Sequence, residues 1–153
     1  MELSELYQET IIDHYRRPRN FGAPPAFTHR AEGFNPLCGD RVTVYLNIVD
    51  GVIQDVRFEG SGCAISTASA SLMTEALKGK PASEAESLFE RMRALLTGSE
   101  EDQAPGIGKL AVLSGVRAFP ARIKCATLAW HTLHAALQDP GSRHDQTTPV
   151  STE

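Results

Sequence analysis

Phe58-Glu-Gly-Ser-Gly-Cys63-Ala-Ile-Ser-Thr-Ala-Ser-Ala-Ser-Leu-Met73 runs from a strand end, through a glycine-rich turn, into a helix of small side chains. Gly60 and Gly62 permit backbone angles that a side chain would forbid, so the chain can turn sharply ahead of Cys63. The thiol then falls in the first turn of a helix, whose positive end favours a thiolate. From Ala64 to Ser71 nearly every side chain is small, which lets other backbone pack close. A reactive or metal-bound cysteine needs both conditions. A lone cysteine in this position reads more simply as a small core residue, so the residues around it decide.

Upstream, Arg41–Val49 alternates Val42, Val44, Leu46 and Ile48 on one face, the pattern of a half-buried strand. Asp50-Gly51 turns the chain into a second strand at about 52–59. Parity favours a three-residue loop, Val49-Asp50-Gly51, which pairs Ile48 with Val52, Val44 with Val56 and Val42 with Phe58. A two-residue loop sets Leu46 opposite Asp55 and Val44 opposite Arg57, mixing core and solvent faces. The hairpin carries the turn-rich Asn35-Pro-Leu-Cys38-Gly-Asp40 to the same sheet end as Cys63. Cys38 and Cys63, far apart in sequence, become neighbours.

Residues 4–16 read as a helix, capped by Ser4, with Leu6, Tyr7, Ile11 and Tyr15 at helical spacing and Pro18 as the stop. His14, Arg16 and Arg17 read as its solvated end. Residues 18–26 are loop and 27–34 a short strand. The small-residue helix spans 64–78, ending at Gly79-Lys-Pro81. Ser83 and Glu86 form a capping box for an amphipathic helix over 83–96. Thr97–Gly108 is an acidic loop, a short helix follows around 109–116, and Pro120 opens a last helix, 121–137, that carries Cys125. The polar tail, 139–153, is expected to be disordered. The class is α+β, with about three antiparallel strands packed against several helices in a single domain over 1–138.

At 153 residues the chain is long enough to bury one sizeable core. A net charge of -4 gives no reason to expect nucleic acid or an anionic membrane as partner. The charged, amphipathic start does not resemble a signal peptide, and no apolar run reaches the roughly 20 residues of a membrane span. Three cysteines, an odd number without a secretory signal, argue for thiol or metal chemistry in a reducing cytoplasm rather than a disulfide framework.

The candidate site is Cys38, Asp40, Cys63 and Cys125. Three thiolates and a carboxylate suit tetrahedral Zn²⁺, although no Cys-x-x-Cys knuckle is present. Four anionic ligands leave two excess negative charges, which Arg122 and Lys124 can offset. On a helix, His131 and His134 lie off the Cys125 face, and His14, His29 and His144 are isolated. Phosphate loops, a nucleophile elbow and a His-Glu-x-x-His helix are missing from the sequence. Composition and spacing reach a cytoplasmic α+β domain with a three-cysteine site.

Asn35-Pro-Leu-Cys38-Gly-Asp40, Gly60-Ser-Gly-Cys63 with the helix after it, and Arg122-Ile-Lys-Cys125-Ala-Thr-Leu-Ala-Trp130 carry a resemblance. Together with Ile-Ile-Asp-His-Tyr-Arg-Arg-Pro-Arg-Asn near the start, they resemble the IscU-like (NifU N-terminal) iron–sulfur assembly proteins over roughly 4–138. The SufU branch is the nearer likeness. Scaffold-type members carry a His immediately before the third cysteine, where this chain has Lys124, and the helix at 83–96 matches the SufU insertion. The resemblance implies an IscU-like fold and a zinc-dependent sulfurtransferase, with Cys38, Asp40, Cys63 and Cys125 as metal ligands. It further implies a PLP-dependent, SufS-like cysteine desulfurase as partner. One of the desulfurase's own side chains, a His in the family, would replace Cys38 on the metal. The freed Cys38 would then take the persulfide sulfur for a downstream iron–sulfur assembly scaffold. Cys38, Asp40 and Arg122 are the implied catalytic residues, Arg122 by steadying the released Cys38 or the docking surface. The alternative is a scaffold that builds and transfers a [2Fe–2S] cluster on Cys38, Cys63 and Cys125, with iron or the cluster in place of zinc.

Overall fold

The computed structural model describes residues 3–97, 107–138 and 150–151. Helix α1 is Leu3–Arg16, and strands β1 (His29–Asn35), β2 (Asp40–Val49) and β3 (Val52–Ser61) follow. Helices α2 (Ala64–Leu77) and α3 (Ala82–Thr97) come next, then a 3₁₀ segment at Gly108–Ala118 and a 3₁₀ turn at Pro120–Arg122. Helix α4 (Ile123–Leu137) and a two-residue strand, β4 (Val150–Ser151), complete the described residues. The sheet order is β3-β2-β1-β4, with β1, β2 and β3 antiparallel and β4 parallel to β1. The class is α+β, as expected. The acidic loop over 98–106 and the tail over 139–149 and 152–153 lie outside the described residues. At Val150–Ser151, where disorder was expected, the chain pairs with Gly33 and Phe34.

The hairpin register differs from the expected one. Val49 pairs with Val52 and Ile48 with Ile53, so the loop is the two-residue Asp50-Gly51. Both residues have positive φ, 54° and 78°, as the twist-matched hairpin turn requires. A bulge at the exposed Gln54 then shifts the ladder by one residue, pairing Leu46 with Val56 and Val44 with Phe58. The extra residue rescues the apolar face that parity alone would have lost.

Helix α4 packs across β1 and β2, α2 lies against β3, and α1 and α3 flank this pair. The small residues of α2 serve the close approach expected of them. Ser69 Oγ donates to the Ala126 carbonyl of α4 at 2.7 Å, and the buried Trp130 donates its indole N–H to Ser69 Oγ at 3.1 Å. Helix α3 begins at Ala82 with Pro81 accepting the first turn's N–H groups. Glu86 reaches His134 on α4 and Gln138 at its C-cap (3.1 and 2.9 Å), so its carboxylate serves packing and no capping box forms.

His14 also departs from expectation: it is 1% exposed. Ser71 Oγ accepts the Arg19 N–H at 2.8 Å and sits 2.7 Å from His14 Nδ1, so its proton is free to go to the imidazole. Burial first, then the Arg19 charge, holds the His14 pKa below its usual 6.5, with Lys109 adding to this and Glu75 and Asp13 opposing. The unfolded chain therefore takes up this proton at a higher pH than the folded protein does. The stability at stake is complete above about pH 6.5 and is lost as pH falls from there through the folded-state value. Urea midpoints should drop between pH 7.5 and pH 5 by more in the wild type than in His14→Gln. Equal slopes would mean that His14 is not the group responsible.

Candidate metal centre

The site sits at the end of the sheet where β1 passes into β2 and β3 passes into α2. Gly39, at φ +74°, makes the reversal between Cys38 and Asp40. Cys38 is thereby left exposed in the turn, while Asp40 opens β2 at 1% exposure. Across the hairpin, Cys63 is the N-cap of α2. Its own N–H donates to Asp40 Oδ1 at 2.9 Å, and its Sγ accepts the Ser66 N–H at 3.5 Å. Gly62 is needed for space rather than for a special backbone angle, because a Cβ there would stand 2.5 Å from Asp40 Oδ1. Cys125, in the first turn of α4, is fully buried.

Ligand atoms of Cys38, Asp40 and Cys125 all lie within 4.8 Å of one another. Cys125 Sγ is 3.4 Å from Cys38 Sγ. Cys63 Sγ lies 3.9 Å from Asp40 Oδ2 but outside the set of mutually close ligand atoms. The structure thus brings three of the four expected ligands together and sets the fourth beside them. The edges of a tetrahedron with ordinary Zn–S and Zn–O bond lengths are about 3.6–3.8 Å, so Cys38, Asp40 and Cys125 have the chemistry and approximate spacing for three of its corners. Burial, followed by the Asp40 carboxylate and Cys38, pushes the Cys125 thiol well above its ordinary range. A divalent cation reverses that preference, since it is the largest local charge in such a site.

Arg122 Nη1 approaches Cys38 Sγ at 3.8 Å from an exposed position. The surrounding sulfurs, Cys125 foremost, raise its already high pKa. Lys124, the other expected counter-charge, makes no hydrogen bond or ion pair with the site among the described residues. His131 and His134 pack against Phe89 and stay off it, as their helical phase requires. Sequence reasoning missed Asn35, wholly buried, whose Nδ2 donates to Cys125 Sγ at 3.6 Å. The signal available was an Asn placed directly ahead of the Pro-Leu-Cys38-Gly-Asp40 turn.

A family model described as the NifU-like N terminal domain matches residues 6–126. The chain belongs to this family. Among NifU-like relatives, it is 43% identical over 131 residues to the zinc-dependent sulfurtransferase SufU of Bacillus subtilis, covering 86% of this chain and 88% of that one. It is 39% identical to the iron–sulfur cluster assembly scaffold protein IscU of Thermotoga maritima, covering 90% and 96% respectively. A crystal structure described as an iron–sulfur cluster assembly scaffold protein for the SUF system (FiSufU), from Fervidobacterium islandicum, superposes with a TM-score of 0.80 at 36% identity, covering 87% of this chain and 97% of that one. The expected NifU-like family and α+β fold therefore hold. No helix of the described residues is long and apolar enough to cross a membrane.

Proposed function

We propose that this protein is a zinc-dependent sulfurtransferase of iron–sulfur cluster assembly, accepting sulfur on Cys38 from a PLP-dependent, SufS-like cysteine desulfurase. The observation that carries this reading is the contrast within the donor set: Cys38 is exposed, whereas Asp40 and Cys125 are buried beside it. Cys38, Asp40, Cys63 and Cys125 would hold the zinc, which supplies positive charge that keeps the thiols deprotonated and ties three chain segments together. Cys38 attacks the outer sulfur of the desulfurase persulfide. A new S–S bond forms at Cys38, the S–S bond in the desulfurase breaks, and its electron pair leaves with the desulfurase cysteine as thiolate. Cys38 is oxidised to a persulfide as the donor cysteine is reduced, so no outside oxidant is required. Arg122, within reach of Cys38 Sγ, offers its guanidinium to the anionic sulfur during exchange. The persulfide then passes to a downstream assembly scaffold in the cytoplasm.

Relatives named as IscU scaffolds support a second reading, in which a [2Fe–2S] cluster is built on the three cysteines. Lys124, where scaffold-type members have His, weighs against it, and it stays outside the site's hydrogen bonds. The deciding experiment measures alanine formation from cysteine by the cognate desulfurase, with and without the zinc-loaded protein. A large increase is expected. No increase, with iron and sulfide instead producing a cluster chromophore on the protein, would establish the scaffold.

A further inference from the structure

We infer that Asn35 is a positioning residue, whose carboxamide makes Cys125 the retained sulfur of the site and leaves Cys38 as the mobile one. Both ends of this buried side chain are engaged. Oδ1 accepts the Leu37 N–H at 3.2 Å, which fixes the amide orientation and turns Nδ2 towards Cys125 Sγ at 3.6 Å. The Asn35 carbonyl also accepts the Gly39 N–H at 2.8 Å, so one residue pins the Cys38 turn on both sides of the cysteine. An N–H donor aimed at a thiolate stabilises its charge and lowers its nucleophilicity.

Each of the other two sulfurs has such a donor from within the fold: Asn35 Nδ2 for Cys125 and Ser66 N–H for Cys63. Cys38 Sγ meets the Cys125 thiol and the solvent-exposed Arg122, a side chain that can swing away. The hydrogen bonds thus sort three chemically identical ligands into two that are held and one that is available.

This inference rests on the reading of the four residues as a zinc site. The test is zinc affinity, measured by competition with a chromophoric chelator on full-length wild type, Asn35→Asp and Asn35→Ala. Asp is isosteric and keeps the acceptor for Leu37, but it turns the donor into a negative charge facing the thiolate. Ala empties the position and orphans the Leu37 N–H. A merely structural Asn35 would make Ala the worse substitution. Positioning through N–H···S makes Asp the worse, with zinc binding about 100-fold weaker against about 10-fold for Ala, in the range of outer-shell changes at metal sites. Thermal melting of the metal-free proteins should run in the opposite order, with Ala melting lowest. Wild-type zinc affinity in Asn35→Asp, or a greater loss in Ala, overturns the inference. Should Asn35→Asp fail to fold, wild-type affinity in Asn35→Ala overturns it equally. A wild-type protein that binds no zinc overturns the metal reading beneath it, which is a separate outcome.

Discussion

Cys38→Ala should abolish sulfur acceptance while leaving the fold standing. The acceptor is the group that forms the new S–S bond, and nucleophile deletions of this kind cost on the order of 10³-fold or more. Structure argues that little else will change. Cys38 is exposed in a turn whose reversal is made by Gly39, and its contact with the buried part of the protein is the Cys125 sulfur at 3.4 Å. A surface substitution of that sort usually stays within about 0.5 kcal/mol. The metal-free melting temperature should therefore match that of the wild type, while zinc affinity falls through loss of one ligand. The assay is desulfurase alanine formation together with mass spectrometry of the protein for one added sulfur atom. Undiminished stimulation by Cys38→Ala would move the acceptor role to another residue. An Arg122 variant measured alongside should lose less, because an exposed guanidinium is screened and acts on Cys38 only from outside.

Much of this site was readable in the sequence because it depends on chain direction. Once 41–49 and 52–59 form a hairpin, Cys38 and Cys63 must meet at one sheet end, whichever register the hairpin takes. The register itself was not readable from strict alternation. Ile53 and Val56 both enter the core, and their three-residue spacing is the mark of a bulge, which parity counting treats as an error. His14 was misjudged for a related reason. Its position near a helix end is a local fact, while its burial is set by Ser71, far along the chain. Glu86 suited a capping box locally, but α4 and its C-cap supplied better partners in His134 and Gln138. Local pattern gave the elements and their order; the losses occurred where a side chain's partner lies on another element.

Asp40→Ala should be the most damaging single change to metal binding, and a comparison with Asp40→Asn separates its two tasks. One carboxylate oxygen accepts the Cys63 N–H at 2.9 Å, joining the start of β2 to the start of α2. The other lies among the sulfurs, 3.9 Å from Cys63 Sγ. Alanine removes both. The buried N–H loses its acceptor, costing about 1–3 kcal/mol, and the ion loses a charged ligand, a larger effect than the 10–100-fold of an outer-shell change. Asparagine can still accept from Cys63 but brings no negative charge. Thermal stability without metal should therefore recover from Ala to Asn, while zinc content and stimulation of the desulfurase stay low in both. If Asp40 merely closed the turn, Asn would restore all three measurements together. An Asp40→Ala protein that remains zinc-loaded and active would remove this residue from the site. Gly62 supplies the room that either task of Asp40 needs. The chain leaves out a Cβ there, and the space it vacates holds the Asp40 carboxylate against the end of α2, beside Cys63.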